Sequence, residues 1–298
     1  MQTINIHPLP LGQRLLAFTH LCKPRVNSLI VFTAMIGMFL ATPGFPPLLR
    51  FLVAALGIAL VSFAAAALNC LVERTVDAKM ARTSWRATAR GEISPLEIVT
   101  LASALGATGL WLLHHFINDL TMWLTLATFV GYTVIYTLIL KPATPMNIVI
   151  GGASGAMPPL LGWTAMTGQL APEPIVLFLI IFLWTPPHFW SLACYRKDDY
   201  ARSGLPMLPV THGIVFTCQH ILWYTVMLAA ASLIPVSLGM SGIFYLLAIS
   251  LLDVIFLGYA IALCRNYSDA LARRCFRYSI LYLTLLFAAL FADRLIAF

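Results

Sequence analysis

The sequence predicts an all-α polytopic membrane protein, nine transmembrane helices in one bundle, with a central cavity opening near the cytoplasmic side. Three observations predict it. The 298 residues are 60% hydrophobic and only 10% charged, with a mean hydropathy of +0.89, more apolar surface than a soluble domain of this length conceals. Nine stretches are apolar over about 20 residues, the length of helix that crosses roughly 30 Å of hydrocarbon. The cations, finally, gather on alternate connections. A β-barrel is excluded, because its strands would alternate in short segments.

The first stretch, Val26 to Thr42, is short. Arg14, Lys23 and Arg25 precede it and no small-residue cleavage site follows, so it reads as a retained helix and not a signal peptide. Phe51 to Val72, Ile98 to Ile117 and Leu120 to Leu140 come next, the last two joined outside by Asn118-Asp119. The fifth, Ile148 to Met166, carries Gly151-Gly-Ala-Ser-Gly155-Ala-Met-Pro158-Pro159 and then Gly162-Trp163. Small residues let helices approach closely, and prolines break the backbone ladder. The sixth, Pro174 to Tyr195, carries Trp184-Thr-Pro186-Pro187-His188-Phe-Trp190. Close packing with kinks accounts for both segments. A cavity with His188 facing it accounts also for a histidine one to two turns above an acidic loop. Ile214 to Leu238, Met240 to Cys264 and Tyr278 to Phe298 complete the nine.

With the N-terminus in the cytoplasm, 16 of the 18 Lys and Arg fall on the cytoplasmic side, leaving Arg50 and Arg294 outside and the C-terminus periplasmic. The net charge of +7 belongs mainly to that inner face and suits anionic lipid or an anionic substrate. Dispersed over separate loops, these cations make no nucleic-acid surface. Cys22, Cys70, Cys194, Cys218, Cys264 and Cys275 form no CxxC pair and read as free thiols. Asp253, mid-span in the eighth stretch, is a functional candidate by default, with a local Ser or Tyr partner as the plainer explanation. His114 and His115 read as interfacial, and the Trp and Tyr near span ends as belt residues.

Residues 1–298 form one membrane domain with no soluble appendage. Its long inner connections, about 73–97 and 195–213, follow the second and sixth spans and are the natural seat of function. That four-span spacing suggests two four-helix halves plus a ninth helix. In the first loop Asn69, Glu73 and Asp77 are spaced i, i+4, i+8, on one helix face, rising about 6 Å per step. Three oxygen ligands in a row suit Mg²⁺, a hard cation that bridges to phosphate oxygens. Lys79, Arg82, Arg86 and Arg90 follow, and guanidinium groups grip phosphate bidentately without losing charge. A solvated helix end beside an inward-facing basic loop is the bland alternative. Against it stands the second loop, Arg196-Lys197-Asp198-Asp199-Tyr200, equally rich in acids and cations on the same side. Gly204-Leu-Pro206-Met-Leu-Pro209 then stiffens the chain where it re-enters the membrane.

These residues resemble the UbiA superfamily of intramembrane aromatic prenyltransferases, whose first motif, Asn-x-x-x-Asp-x-x-x-Asp, is matched by Asn69, Glu73 and Asp77. The chain is most similar to the haem-farnesylating branch. That likeness rests on Lys79-Met-Ala-Arg82-Thr83-Ser-Trp-Arg86, on Thr144-Pro-Met-Asn147-Ile-Val-Ile-Gly151-Gly with Ala156-Met-Pro-Pro, on Pro187-His188-Phe-Trp, and on Asp199-Tyr200 with Gly204-Leu-Pro-Met-Leu-Pro209-Val. It runs from about Lys23 to the end. Glu73 replaces the commoner Asp, Thr75 stands where many members carry an acid, Ala87 replaces a proline, and Ser203 stands in place of the second acid of the second motif.

The resemblance implies a nine-helix UbiA-type bundle, a Mg²⁺-dependent reaction, and farnesyl diphosphate and haem b as substrates. It also implies residence in a bacterial inner membrane and a terminal oxidase or haem-modifying enzyme downstream. Asn69, Glu73, Asp77 and Asp199 would hold metal; Lys79, Arg82, Arg86, Arg196, Lys197 and Tyr200 would bind substrate; Asp199 could instead orient Arg196 or Lys197. His188 would ligate haem iron, act as a base toward water, or make an interhelical hydrogen bond. Alternatives stay open: a sister enzyme prenylating a phenolic quinone precursor, a transporter with broken helices, or a non-catalytic oxidase assembly factor.

Overall fold

Pro24, Pro95, Pro158 and Pro172 each sit in the first turn of a helix, where a missing N–H costs nothing and the fixed φ is already helical. A computed structural model describes residues 10–296, and among them there is no strand. Helix α1 (Leu11–Leu21) is followed by α2 (Pro24–Leu40), α3 (Leu48–Val72) and the single turn α4 (Arg74–Asp77). Helix α5 (Pro95–Phe116) starts with a reciprocal capping box between Ser94 and Glu97, and α6 (Asp119–Val130) with Asn118 accepting from the Thr121 N–H. Helix α6 continues as a π-helical segment, Gly131–Leu140, and ends in α7 (Lys141–Ala143).

The Pro158-Pro159 pair divides the fifth apolar stretch into α8 (Asn147–Ala156) and α9 (Pro158–Thr167). Pro186 and Pro187, in contrast, lie within α10 (Pro172–Tyr195), which runs through them as one helix. Short helices α11 (Lys197–Ser203) and α12 (Leu208–Thr211) build the long connection after α10. The remainder is α13 (Gly213–Ser232), α14 (Ile234–Ser237), α15 (Ile243–Arg265) and α16 (Asp269–Ile296). Residues 297 and 298, the end of the last expected span, lie outside the described residues.

Among the described residues seven helical stretches are long and apolar enough to cross a membrane, making this a multi-pass membrane protein. Of the nine expected spans, the first is a 17-residue helix and the fifth is two helices of 10 residues, so neither meets that length in one piece. The outside is apolar in the manner of a lipid-facing surface: on α15, Leu247, Leu251 and Val254 are 66%, 63% and 66% exposed. In water such a patch would be a liability.

Lipid tails are as apolar as leucine, so these helices are held by close packing rather than by escape from water. Helix α2 lies against α9, α3 against α5, and α10 against α8, α13 and α16. A Cβ placed on Gly162 would stand 2.0 Å from the Ala34 carbonyl oxygen, and one on Gly37 2.2 Å from that of Pro159. Gly151 meets the Tyr136 ring in the same way, whereas Gly155 faces open space. Asp253 has found its partners across two helices: its carboxylate accepts from Ser232 Oγ at 2.8 Å and from the Tyr282 hydroxyl at 2.6 Å. Mid-span burial of that acid is thereby satisfied structurally.

Candidate active site

Asn69 ends the third helix and Glu73 follows as its cap, with the i→i−4 ladder continuing from Asn69 O to Glu73 N (3.0 Å) and from Glu73 O to Asp77 N (2.7 Å). The expected shared face is real for the first pair, since Asn69 Nδ2 donates to Glu73 Oε1 at 2.6 Å. Asn69, Glu73 and Asp77 are 2%, 9% and 2% exposed. Polar groups so deeply placed need partners, and each meets a cation. Lys141 Nζ reaches Glu73 Oε1 at 2.5 Å, Arg86 Nη1 reaches Asp77 Oδ2 at 2.5 Å, and Lys23 Nζ donates to Asn69 Oδ1 at 2.5 Å. The π-helical segment contributes Thr137, whose Oγ1 accepts from Asn69 Nδ2 at 3.3 Å.

Burial by itself pushes the Glu73 carboxyl up, but Lys141 and Lys23 more than offset it and hold the group below the usual carboxylate range. Burial likewise lowers the Lys23 ammonium. Glu73 is therefore held ionised at neutral pH, which metal or phosphate chemistry requires.

The second loop joins this cluster through tyrosines rather than through its acids. Tyr200, 2% exposed, has its hydroxyl raised by burial and pulled back by the adjacent Arg82 guanidinium and by Lys141, and it feels Glu73. Arg196 and Arg273 lie over the Tyr195 ring at 5.7 and 5.3 Å, with Arg82 and Arg277 also acting on its hydroxyl. Arg82, Arg196 and Tyr200 are thus brought together with the first cluster, whereas Lys79 is exposed. Lys197 carries no hydrogen bond or ion pair among the described residues.

Asp199 is occupied differently from Glu73 and Asp77. Its Oδ2 pairs with Arg196 at 3.4 Å and its Oδ1 with Arg202. Among the described residues no three His, Cys, Asp or Glu side chains gather closely enough to hold a metal by themselves, so Asp199 does not complete a three-acid cluster with Glu73 and Asp77. The first cluster does fit Mg²⁺ by its donor set. All its ligand atoms are hard oxygens, and Glu73 and Asp77 each meet their cation through one carboxylate oxygen, leaving the other without a bond among the described residues. The Arg196 Nε–H, buried and without a partner, is a donor of the kind an anion would satisfy.

Two surface hollows lie elsewhere, one lined by Leu40, Trp163, Glu173 and Arg294 and one by Phe18, Leu96 and Leu101, and neither reaches the acids. His188, on α10, bonds through Nδ1 to Ser279 Oγ on α16 at 2.7 Å. The sequence reading left Lys23, Lys141, Thr137 and Arg202 out of the site. The first two do carry a local signal: each is a lysine beside a proline at the end of an apolar run.

A helical membrane bundle with oxygen ligands and cations clustered at one end defines a class, the intramembrane prenyltransferases, and comparison agrees. The chain matches the UbiA prenyltransferase family over residues 30–289 and belongs to it. It is 90% identical over 296 residues, 99% of each chain, to the protoheme IX farnesyltransferase of Dechloromonas aromatica (strain RCB). It is 60% identical over 294 residues, 98% of each, to that of Azoarcus sp. (strain BH72). Among solved structures, digeranylgeranylglyceryl phosphate synthase superposes with a TM-score of 0.79 at 18% identity, covering 95% of this chain and 99% of that one. A UbiA homologue from Archaeoglobus fulgidus bound to DMAPP and Mg²⁺ does so at 0.66 and 16%, covering 92% and 98%. At those identities the structural likeness shows the fold alone.

Proposed function

We propose that this chain transfers a farnesyl group from farnesyl diphosphate to a vinyl group of haem b, with addition of water, giving haem O and diphosphate. The full-length 90% identity to a protoheme IX farnesyltransferase carries this reading, and the cation-lined acidic cluster supplies its chemistry. Asn69, Glu73 and Asp77 would hold Mg²⁺, which when bound neutralises the charge that develops on departing diphosphate. Lys141 and Arg86, already at these acids, exchange a carboxylate for phosphate oxygens of the same charge type, and Lys23 exchanges the Asn69 amide, with Arg82 from the first loop and Arg196 from the second closing on the phosphates. Asp199 holds Arg196 and Arg202 in place, and Tyr200 seats Arg82.

In the reaction the allylic C–O bond breaks and its electron pair leaves with diphosphate. The vinyl π electrons of haem form the new C–C bond, and water adds to the resulting cation with loss of a proton, leaving a hydroxyl. With nine crossings, counting the 17-residue α2 and the broken α8–α9 pair, the concentration of cations on the connections at the acidic end supports its facing the cytoplasm across a bacterial inner membrane. The farnesyl tail then lies in a cavity between the helices that opens beside the acids, and the product passes to a terminal oxidase or a haem-modifying enzyme.

Membranes containing the protein, given radiolabelled farnesyl diphosphate, are expected to label haem and leave 4-hydroxybenzoate unlabelled; label in the benzoate would overturn the reading. Chelation with EDTA is expected to bring transfer to background and added Mg²⁺ to restore it. Transfer indifferent to EDTA would remove the metal from the scheme.

A further inference from the structure

Four guanidinium groups gather on one ring at the end of the bundle that holds the acidic cluster. Arg196 and Arg273 lie over Tyr195 at 5.7 and 5.3 Å, and Arg82 and Arg277 act on its hydroxyl. They come from three parts of the chain: Arg82 from the loop after α4, Arg196 from the end of α10, and Arg273 and Arg277 from α16. A preference for cations on one side of a membrane brings arginines to this end, but it does not collect them on a single tyrosine. Acids do not collect them either. Asp199 is shared by Arg196 and Arg202, and no carboxylate pairs with Arg273 or Arg277 among the described residues. Within α16 those two form an i, i+4 pair of like charge, which is destabilising on a helix surface. They also stand in its N-terminal half, away from the C-terminal end where the dipole favours cations. Both are exposed, and Arg196 Nε beside them is buried without a partner. Like charges held together with donors left open make a seat for an anion.

The neighbouring seat indicates which anion. Arg82 also bonds to the Tyr200 hydroxyl, which feels Glu73 and Lys141. The arginine group is therefore contiguous with the place given above to diphosphate, and that place has cations of its own in Lys23, Arg86 and Lys141. Haem b, the other substrate of that reading, carries two propionate carboxylates on one edge and its vinyl groups toward the opposite edge. Two anionic substrates that react through their apolar parts need two cationic seats side by side. We propose that Arg273 and Arg277 bind the propionates of the haem substrate, with Tyr195 as a positioning residue under the Arg273 guanidinium and Arg82 and Arg196 as the border between the two seats. Carboxylates anchored there hold one edge of the macrocycle at the polar end and turn the vinyl edge toward the farnesyl chain. The inference rests on the functional reading above, and it concerns two residues of α16 that the sequence reading left out of the site.

Haem and its dimethyl ester, in which both carboxylates are neutral, decide the matter with the purified full-length protein in detergent. The wild type is expected to show a KM for haem about 10-fold below that for the ester, and the same KM for farnesyl diphosphate with either. Arg273→Gln/Arg277→Gln is expected to raise KM for haem to the value for the ester and to leave KM for farnesyl diphosphate unchanged. Arg274→Gln removes the same charge between the two and is expected to keep both wild-type values. All three side chains are exposed, so the variants are expected to keep the wild-type thermal midpoint; should the double variant unfold, the comparison of haem with ester in the wild type still decides. Equal use of haem and ester by the wild type, or a double variant that keeps the preference for haem, overturns the inference. A rise in KM for farnesyl diphosphate assigns the two arginines to diphosphate and overturns it. A loss that Arg274→Gln shares, or that added anionic phospholipid reverses, assigns them to lipid and overturns it as well. Wild-type protein that farnesylates neither haem nor its ester overturns the functional reading and this inference with it.

Discussion

Asp77→Asn is expected to lower farnesyl transfer by about 100-fold or more, equivalent to roughly 3 kcal/mol at 1.36 kcal/mol per decade. The two side chains have nearly the same shape, so the loss isolates charge. Asp77 is 2% exposed, spends one oxygen on Arg86 and keeps the other without a bond among the described residues. Replacing that second oxygen's charge weakens any divalent ion bridging to phosphate. It also leaves the Arg86 guanidinium, only 17% exposed, facing a neutral amide. Removing one member of a buried pair can cost about 3–5 kcal/mol of stability, and the partial exposure of Arg86 places this case at the low end. Activity must therefore be read per folded protein, with thermal unfolding in detergent measured on the same sample. Wild-type turnover in folded Asp77→Asn would end the assignment of Asp77 as a ligand.

Gly162→Ala is the second large effect, and it acts on folding. Its new methyl group would fall 2.0 Å from the Ala34 carbonyl oxygen and 2.8 Å from the carbonyl carbon, both backbone atoms that no rotamer change can move. Helices α2 and α9 would have to part, and overpacking of this kind costs about 1–3 kcal/mol or more. Separation also draws α2, and with it Lys23, from the end of α3. The expected result is a lower thermal midpoint and reduced transfer per folded molecule. Gly155→Ala, in the same glycine-rich stretch but facing open space, is the control and should match the wild type. Equal stability of the two variants would show that the α2–α9 contact is not as close as described.

The contrast between those glycines shows what a one-dimensional reading reaches. Composition and span length give a helical membrane protein, and i, i+4 spacing gives the Asn69–Glu73 contact, because both are local properties. Asp253 was readable too, since a buried acid needs hydroxyl partners, and Ser232 and Tyr282 supply them. Which polar groups the two lysines would meet was not readable. Lys23 and Lys141 come to Asn69 and Glu73 from 46 and 68 residues away, a pairing fixed only when the helices assemble. The prolines mislead in opposite directions. Pro158-Pro159 ends one helix and starts another, while Pro186 and Pro187 sit inside α10, which runs on through them. Of the roles left open for Asp199, metal ligand or orienting Arg196 or Lys197, local geometry shows the pairing with Arg196, and adds Arg202 three residues to the other side.

Lys23 is the one non-glycine residue with positive φ among the described residues, at 46°. For a side chain bearing Cβ that conformation costs about 1–2 kcal/mol, and here it is the elbow between α1 and α2. The same residue carries the ammonium that rests on Asn69. The strained elbow and the ammonium on Asn69 thus belong to one residue, so a substitution at Lys23 would alter the α1–α2 junction and the acidic cluster together.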